Sequence, residues 1–184
     1  MARDPDKGEW RMPRFAFRTN EVLTEMVDVF RRPGKVLEEI GVSEGYSVVD
    51  YGSGHGNFTI PAAELVGKKG MVHAVDAHPL SIEIIEEKAE RRGLKNIETI
   101  FSDIDTGLDD ESVDVVLLYG VLYKTDDKNA LLKEVRRILK TGGLISIANH
   151  RMNKDILIKM MRRRGFRLRN LKRGILNFEK SGKF

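Results

Sequence analysis

The 184-residue chain contains no cysteine. Disulfide scaffolds, zinc–thiolate sites, iron–sulfur clusters and cysteine nucleophiles are thereby excluded. Proline is scarce, with five residues, so collagen-like and mucin-like readings fail on composition. No run approaches the roughly 18 uninterrupted apolar residues of a membrane-spanning helix. The first residues, Met1-Ala2-Arg3-Asp4-Pro5-Asp6-Lys7, are charged and lack the apolar core of a signal peptide. These absences lead to the expectation of a cytoplasmic protein without a membrane segment. What remains is 41% apolar, enough for one buried core, and 33% charged.

The charge is unevenly placed. From Arg151 to Phe184 there are 12 Lys and Arg against 2 acidic residues, whereas residues 1–150 carry 20 against 26. A basic end on an acidic body can serve an anionic partner. A solvated helix face followed by edge strands guarded by Lys and Arg explains it at least as well.

Residues 1–32 read as an arm with scattered Trp10, Phe15 and Phe17, then a helix over Asn20–Phe30; we expect this segment to act as a lid. The remainder, 33–184, reads as one domain. Helices are predicted from Pro33 to Gly41, over Asn57–Val66, Pro79–Arg92, Asp126–Leu139 and Ile156–Arg164. Strands are predicted over Tyr46–Tyr51, Met71–Val75, Ile97–Phe101, Val113–Tyr119 and Leu144–Ala148. The acidic stretch Ser102–Ser112 reads as a loop. Phe166–Leu171 and Ile175–Phe178 form a terminal antiparallel pair. This alternation predicts an α/β fold: a doubly wound, mostly parallel seven-stranded sheet with helices on both faces. Ligands of such sheets lie beyond the strand C-termini, where strand order reverses.

The richest candidate site follows the first strand: Val48-Val49-Asp50-Tyr51-Gly52-Ser53-Gly54-His55-Gly56-Asn57-Phe58. Glycine permits positive φ and close backbone approach, and the next helix start offers free N–H groups. A dinucleotide fingerprint needs glycines at offsets 0, 2 and 5. Counted from Gly52 the last position is Asn57; counted from Gly54 it is Thr59. That fingerprint is broken, which disfavours a nicotinamide oxidoreductase. Asp50 ahead of the glycines suits a zwitterionic ligand better than a pyrophosphate.

Over residues 33–150 the chain resembles the class I S-adenosylmethionine-dependent methyltransferases, with their Rossmann-like fold. The resemblance implies that Asp50, Gly52, Gly54 and Gly56, with Ser53 and His55 between them, hold the methionine part of S-adenosylmethionine. It implies that Asp76, at the end of Val72-His73-Ala74-Val75-Asp76-Ala77, binds the ribose. Asp103, in Phe101-Ser102-Asp103-Ile104, would lie near the adenine amine. Ala77 and Ile104 belong to the same binding set. Asp114 opens the fourth strand, away from the ligand edge, and reads as structural. Glu134-Val135-Arg136-Arg137-Ile138-Leu139-Lys140-Thr141-Gly142-Gly143 matches the family's helix running into a Gly-Gly strand start.

The acceptor would sit over the fourth and fifth strands, near Tyr119, Tyr123, Lys124, Asn149 and His150. Tyr119 is also assigned to the cofactor wall. His150 is the candidate general base, with Tyr119 as the second catalytic candidate. His73 reads as structural. His78 precedes a helix start. Where many small-molecule members carry Leu-His-His, this chain has Leu122-Tyr123-Lys124. Where amine-of-base methylases carry Asn/Asp-Pro-Pro-aromatic, it has Leu118-Tyr119-Gly120-Val121. No metal site is expected. The expected partner is a small-molecule methyl acceptor. The alternatives are an RNA or protein methyltransferase using the basic end, and a non-catalytic S-adenosylmethionine-binding subunit.

Overall fold

The computed structural model describes residues 32–148, 152–172 and 174–182. The arm and helix expected over 1–32 therefore lie, apart from Arg32, outside the described residues. Helix α1, Pro33–Ile40, starts on a proline and stops at Gly41, whose φ of 96° lets its N–H reach back to the Leu37 and Glu38 carbonyls. Strand β1, Ser47–Tyr51, is followed by α2, Thr59–Val66. A 3₁₀ turn leads into β2, Met71–Asp76. Helix α3, Pro79–Arg92, is capped by His78, whose Nδ1 accepts from Leu80 N–H at 3.2 Å. Gly93, at φ 65°, closes it. Then come β3, Ile97–Phe101, and β4, Val113–Tyr119. Helix α4, Lys128–Ile138, is capped by Asp127, which accepts from Asn129 and Ala130 N–H. Strand β5 spans Leu139–Ala148. Asn153 caps α5, Lys154–Arg162, in the same way. Strands β6, Phe166–Lys172, and β7, Ile175–Lys180, end the fold.

The seven strands lie in the order β3-β2-β1-β4-β5-β7-β6. Pairs β1–β2, β1–β4, β2–β3 and β4–β5 are parallel; β5–β7 and β6–β7 are antiparallel. The sheet is thus mixed, with an antiparallel C-terminal pair as expected. Two apolar clusters lie on its opposite faces. Val49, Tyr51, Val116, Leu118, Ile145 and Ile147 pack with Leu131, Leu132 and Val135 of α4 and Leu157 and Met161 of α5. Val48, Val72, Val115, Leu117 and Leu144 pack with Leu37 of α1 and Ala62, Ala63 and Val66 of α2. Alternate residues of one strand go to opposite layers, so a strand buried on both faces has to be apolar throughout. Among the described residues, no helix is long and apolar enough to cross a membrane.

Several boundaries differ from expectation, most of all at β5. Strand β5 begins at Leu139, directly after α4, rather than at Leu144. Gly142-Gly143 therefore lies inside the strand and does not end the helix. Two steps along β4, Val113 to Val115, match five along β5, Leu139 to Leu144. The extra residues bulge out. Gly142 sits at φ 79°, and a Cβ on Gly143 would press on Leu139 and the Lys140 carbonyl. Three helices are shifted by two residues at their starts: α2 begins at Thr59 rather than Asn57, α4 at Lys128 rather than Asp126, and α5 at Lys154 rather than Ile156.

Asp114 sits at this bulge and is structural. Its carboxylate accepts from Ser47 N–H at 2.9 Å and from Lys140 at 2.7 Å, tying β1 and β5 to β4 at the end away from the glycines. The stretch Ser102–Ser112 is a loop. It is held by Glu134, which accepts from the Thr106 hydroxyl (2.5 Å) and N–H (3.0 Å) and from Arg137 (2.8 Å). Burial alone would raise the Glu134 pKa, but the Arg137 and Thr106 bonds outweigh it and hold it at about 2.

A carboxyl depressed on folding stabilises above its unfolded pKa, and that stabilisation is lost as pH falls through the folded value. Between about pH 4.5 and 2, unfolding free energy should therefore fall as this group takes up its proton. Denaturant titrations of wild type and Glu134→Gln across that window should show a steeper acid loss in the wild type. Equal slopes would remove Glu134 from this role.

Candidate cofactor site

Strand order reverses between β1 and β4. The C-terminal ends of β1, β2 and β4 therefore border a crevice at the sheet edge. The turn Gly52–Gly56 leaves β1 and docks on β2. The Gly52 and Ser53 N–H groups both donate to the Val75 carbonyl, at 2.7 and 3.1 Å, and Gly56 N–H donates to the Ser53 carbonyl at 2.9 Å. All three glycines have positive φ, at 69°, 53° and 75°. Their surroundings differ. A Cβ on Gly52 would overlap Val121, and one on Gly56 would press on Ile85 at 3.0 Å. A Cβ on Gly54 meets nothing closer than the Gly52 carbonyl at 4.0 Å. Packing thus requires glycine at 52 and leaves little room at 56, whereas Gly54 borders open space.

Asp76 is half-buried at the end of β2. Its Oδ2 accepts from Gly54 N–H and its Oδ1 from His78 N–H, both at 2.8 Å. One carboxylate thereby joins the glycine turn to the start of α3. Each oxygen retains accepting capacity after one such bond, so vicinal hydroxyls remain acceptable partners. Asp50 is placed differently. It is 3% exposed, and its Oδ2 accepts from the Thr59 hydroxyl at 2.6 Å. Asp50 thereby anchors the first residue of α2. Ser53 and His55 are buried in the turn itself. Ala77 and Asp103 are exposed and Ile104 is half-buried. The Tyr51 hydroxyl donates to the Ile104 carbonyl, fixing the loop that carries Asp103. Burial, reinforced by the charges of Glu134, Asp103 and Asp105, pushes the Tyr51 phenol above its ordinary pKa.

On the acceptor side, Tyr119 ends β4. Its hydroxyl shares a 2.8 Å hydrogen bond with the Ser146 hydroxyl, and its ring stands edge-on to Phe58 at 4.5 Å. Burial raises its pKa well above the ordinary phenol value. A protonated Tyr119 hydroxyl can orient a neighbour through this bond. Lys124 lies 5.8 Å from the centre of the Tyr123 ring. Asn149 and His150 lie outside the described residues. His73 bonds Glu98 across β2 and β3 at 2.9 Å, a structural role. Among the described residues, no group of three His, Cys, Asp or Glu could hold a metal ion.

Three contributors were missed in the sequence. Val121 packs on Gly52, Tyr51 holds Ile104, and Lys88 donates to the His55 carbonyl at 2.9 Å. Lys88 alone left a trace: it occupies a core-side position of α3, three residues after buried Ile85.

A family profile described as a methyltransferase domain matches residues 42–176. The chain belongs to this family. Over 126 residues it is 36% identical to the aklanonic acid methyltransferase DauC of Streptomyces sp. (strain C5), covering 67% of this chain and 57% of that protein. It is 31% identical to the demethylmenaquinone methyltransferase of Geobacillus stearothermophilus, covering 69% and 54%. The chain thus matches a little over half the length of these relatives. A solved structure of a SAM-dependent methyltransferase from Aquifex aeolicus superposes with a TM-score of 0.72 at 25% identity, covering 80% of this chain and 87% of that one. The family cofactor, S-adenosylmethionine, fits the residues present. The open face at Gly54 leaves room for a ligand against the turn, and Asp76 presents a carboxylate beside it.

The glycines should therefore separate on substitution. Gly52→Ala is expected to lower the melting temperature sharply, because of its overlap with Val121, and Val121→Ala should restore part of the loss. Gly54→Ala should cost only the ~1–2 kcal/mol of a left-handed non-glycine residue. Equal melting temperatures for the two single variants would contradict the packing assignment.

Proposed function

We propose that the chain is an S-adenosylmethionine-dependent methyltransferase acting on a small-molecule acceptor. The observation that carries this reading is the bond from Gly54 N–H to Asp76 Oδ2. It puts an open glycine backbone and a carboxylate side by side at the ends of β1 and β2, next to the switch point of the sheet. When bound, S-adenosylmethionine supplies a methyl group on a positively charged sulfur, which leaves as a neutral thioether. The chain's task is then chiefly to hold nucleophile and methyl in line, a contribution of up to ~7–11 kcal/mol in favourable cases. On this reading Asp76 accepts from the ribose hydroxyls, the Gly52–Gly56 turn borders the amino-acid part, and Ala77, Asp103 and Ile104 flank the adenine. Tyr119, kept protonated, serves as a positioning group on the acceptor side. His150, beyond the described residues, is proposed as the base wherever the acceptor carries a proton of high pKa.

The names of the two relatives, both methyltransferases of small organic molecules, support a small-molecule acceptor. An RNA acceptor draws less support. Part of the basic C-terminal segment is engaged internally. Arg164 bonds the Met160 carbonyl and Asn129, and Arg167 reaches Glu179.

Titration calorimetry tests the reading. S-adenosylmethionine and S-adenosylhomocysteine should bind with micromolar dissociation constants. Asp76→Ala should weaken both by ~1.5–3 kcal/mol, the value of hydrogen bonds to a charged group. Unchanged affinity in this variant would remove Asp76 from the ribose role. Binding without turnover on any acceptor would favour a non-catalytic subunit.

A further inference from the structure

Helix α3 packs on the sheet through Leu80, Ser81, Ile84, Ile85 and Ala89, all buried. The helical period places residue 88 on that same side, where an apolar residue would complete the stripe. The chain has Lys88 there instead, half-buried, with its ammonium 2.9 Å from the His55 carbonyl. Ile85, one turn earlier, fills the space against Gly56. Two residues one turn apart thus grip two consecutive residues of the glycine turn, one by packing and one by charge.

The gripped peptide needs such a hold. The plane between His55 and Gly56 is followed by a glycine that tolerates φ of either sign, so little steric resistance keeps the plane from reversing. Its N–H side is fixed by the bond to the Ser53 carbonyl at 2.9 Å. Its carbonyl side is fixed by Lys88. A charge-assisted bond to a carbonyl is roughly twice as strong as a neutral one, and part-burial limits competition from water. Gly54, whose N–H meets Asp76, lies immediately before His55.

We infer that Lys88 is a positioning residue for the glycine turn: its ammonium holds the His55 carbonyl and so fixes the backbone that faces the amino-acid end of the ligand. Where this concerns the ligand, it rests on the cofactor reading above. Lys88 lies on α3 and bonds a backbone carbonyl of the turn, so its effect passes through the backbone. The part of the ligand served by the turn should feel its loss most, and the part served by Asp76 least.

Three measurements on wild type, Lys88→Met and Lys88→Arg test this. Calorimetry would use S-adenosylhomocysteine, which has the amino-acid end, and adenosine, which lacks it. Lys88→Met should weaken S-adenosylhomocysteine about tenfold while adenosine stays within about twofold, and Lys88→Arg should recover most of the loss. In the ligand-free protein, amide exchange at Gly54 and Gly56 should quicken about tenfold in Lys88→Met, with β2 and the body of α3 unchanged. Unchanged exchange and unchanged S-adenosylhomocysteine affinity would overturn the inference. So would equal losses for both ligands with faster exchange throughout α3, which would mark Lys88 as a general structural residue. A wild type that binds neither ligand would sink the cofactor reading, and the exchange experiment would still decide the role of Lys88.

Discussion

The site depends on one satisfied carboxylate. Asp76 stands where β2 runs out, and a charged group at a half-buried sheet edge has to be paired with donors or pay a large desolvation cost. Here the donors are backbone N–H groups from both sides, Gly54 of the turn and His78 of the next helix start. This pairing does two things at once. It neutralises the helix start, where a negative charge is favourable, and it draws the glycine turn of β1 across onto β2. The crevice is therefore a property of the β1–β2 pair rather than of the turn alone. The double use of the Val75 carbonyl by Gly52 and Ser53 reinforces the same docking.

The acidic residues divide by depth. Asp50 is buried and bonded to Thr59, so it anchors the start of α2. Asp76 is half-buried at the end of β2 and bonds the turn and the start of α3. Asp114 lies at the opposite end of the sheet and locks three strands together through Ser47 and Lys140. Three aspartates at strand ends look alike as residue types but do three different jobs. Burial and the identity of the donor separate them.

Much of the architecture was legible because its signals are local. Pro33 and Pro79 at helix starts, Gly41 and Gly93 at helix ends, and the apolar run Val113–Tyr119 each act within a few residues of their own position. The alternate glycines and the aspartate ending β2 were legible for the same reason. The start of β5 was not. Gly142-Gly143 carries the mark of a helix stop, but the helix had already ended, and the glycines instead relieve a bulge created by pairing with β4. That pairing joins residues about 30 positions apart, which no local pattern encodes. Val121 and Tyr51 escaped for a related reason: a valine after a strand and a tyrosine ending one are ordinary core residues until a turn or loop from elsewhere meets them.

The three glycines show how such long-range contacts change the meaning of a motif. As a pattern they look equivalent. In the fold, Gly52 makes room for Val121 of the acceptor-side loop and Gly56 makes room for Ile85 of α3. These two glycines let neighbouring elements close on the turn from either side, and only Gly54 leaves its face open. A turn hemmed in on both flanks has little freedom left, so the ordering cost that a ligand would otherwise bear on binding is met during folding. The glycine spacing thus reflects the packing of α3 and the β4 loop as much as the shape of any ligand.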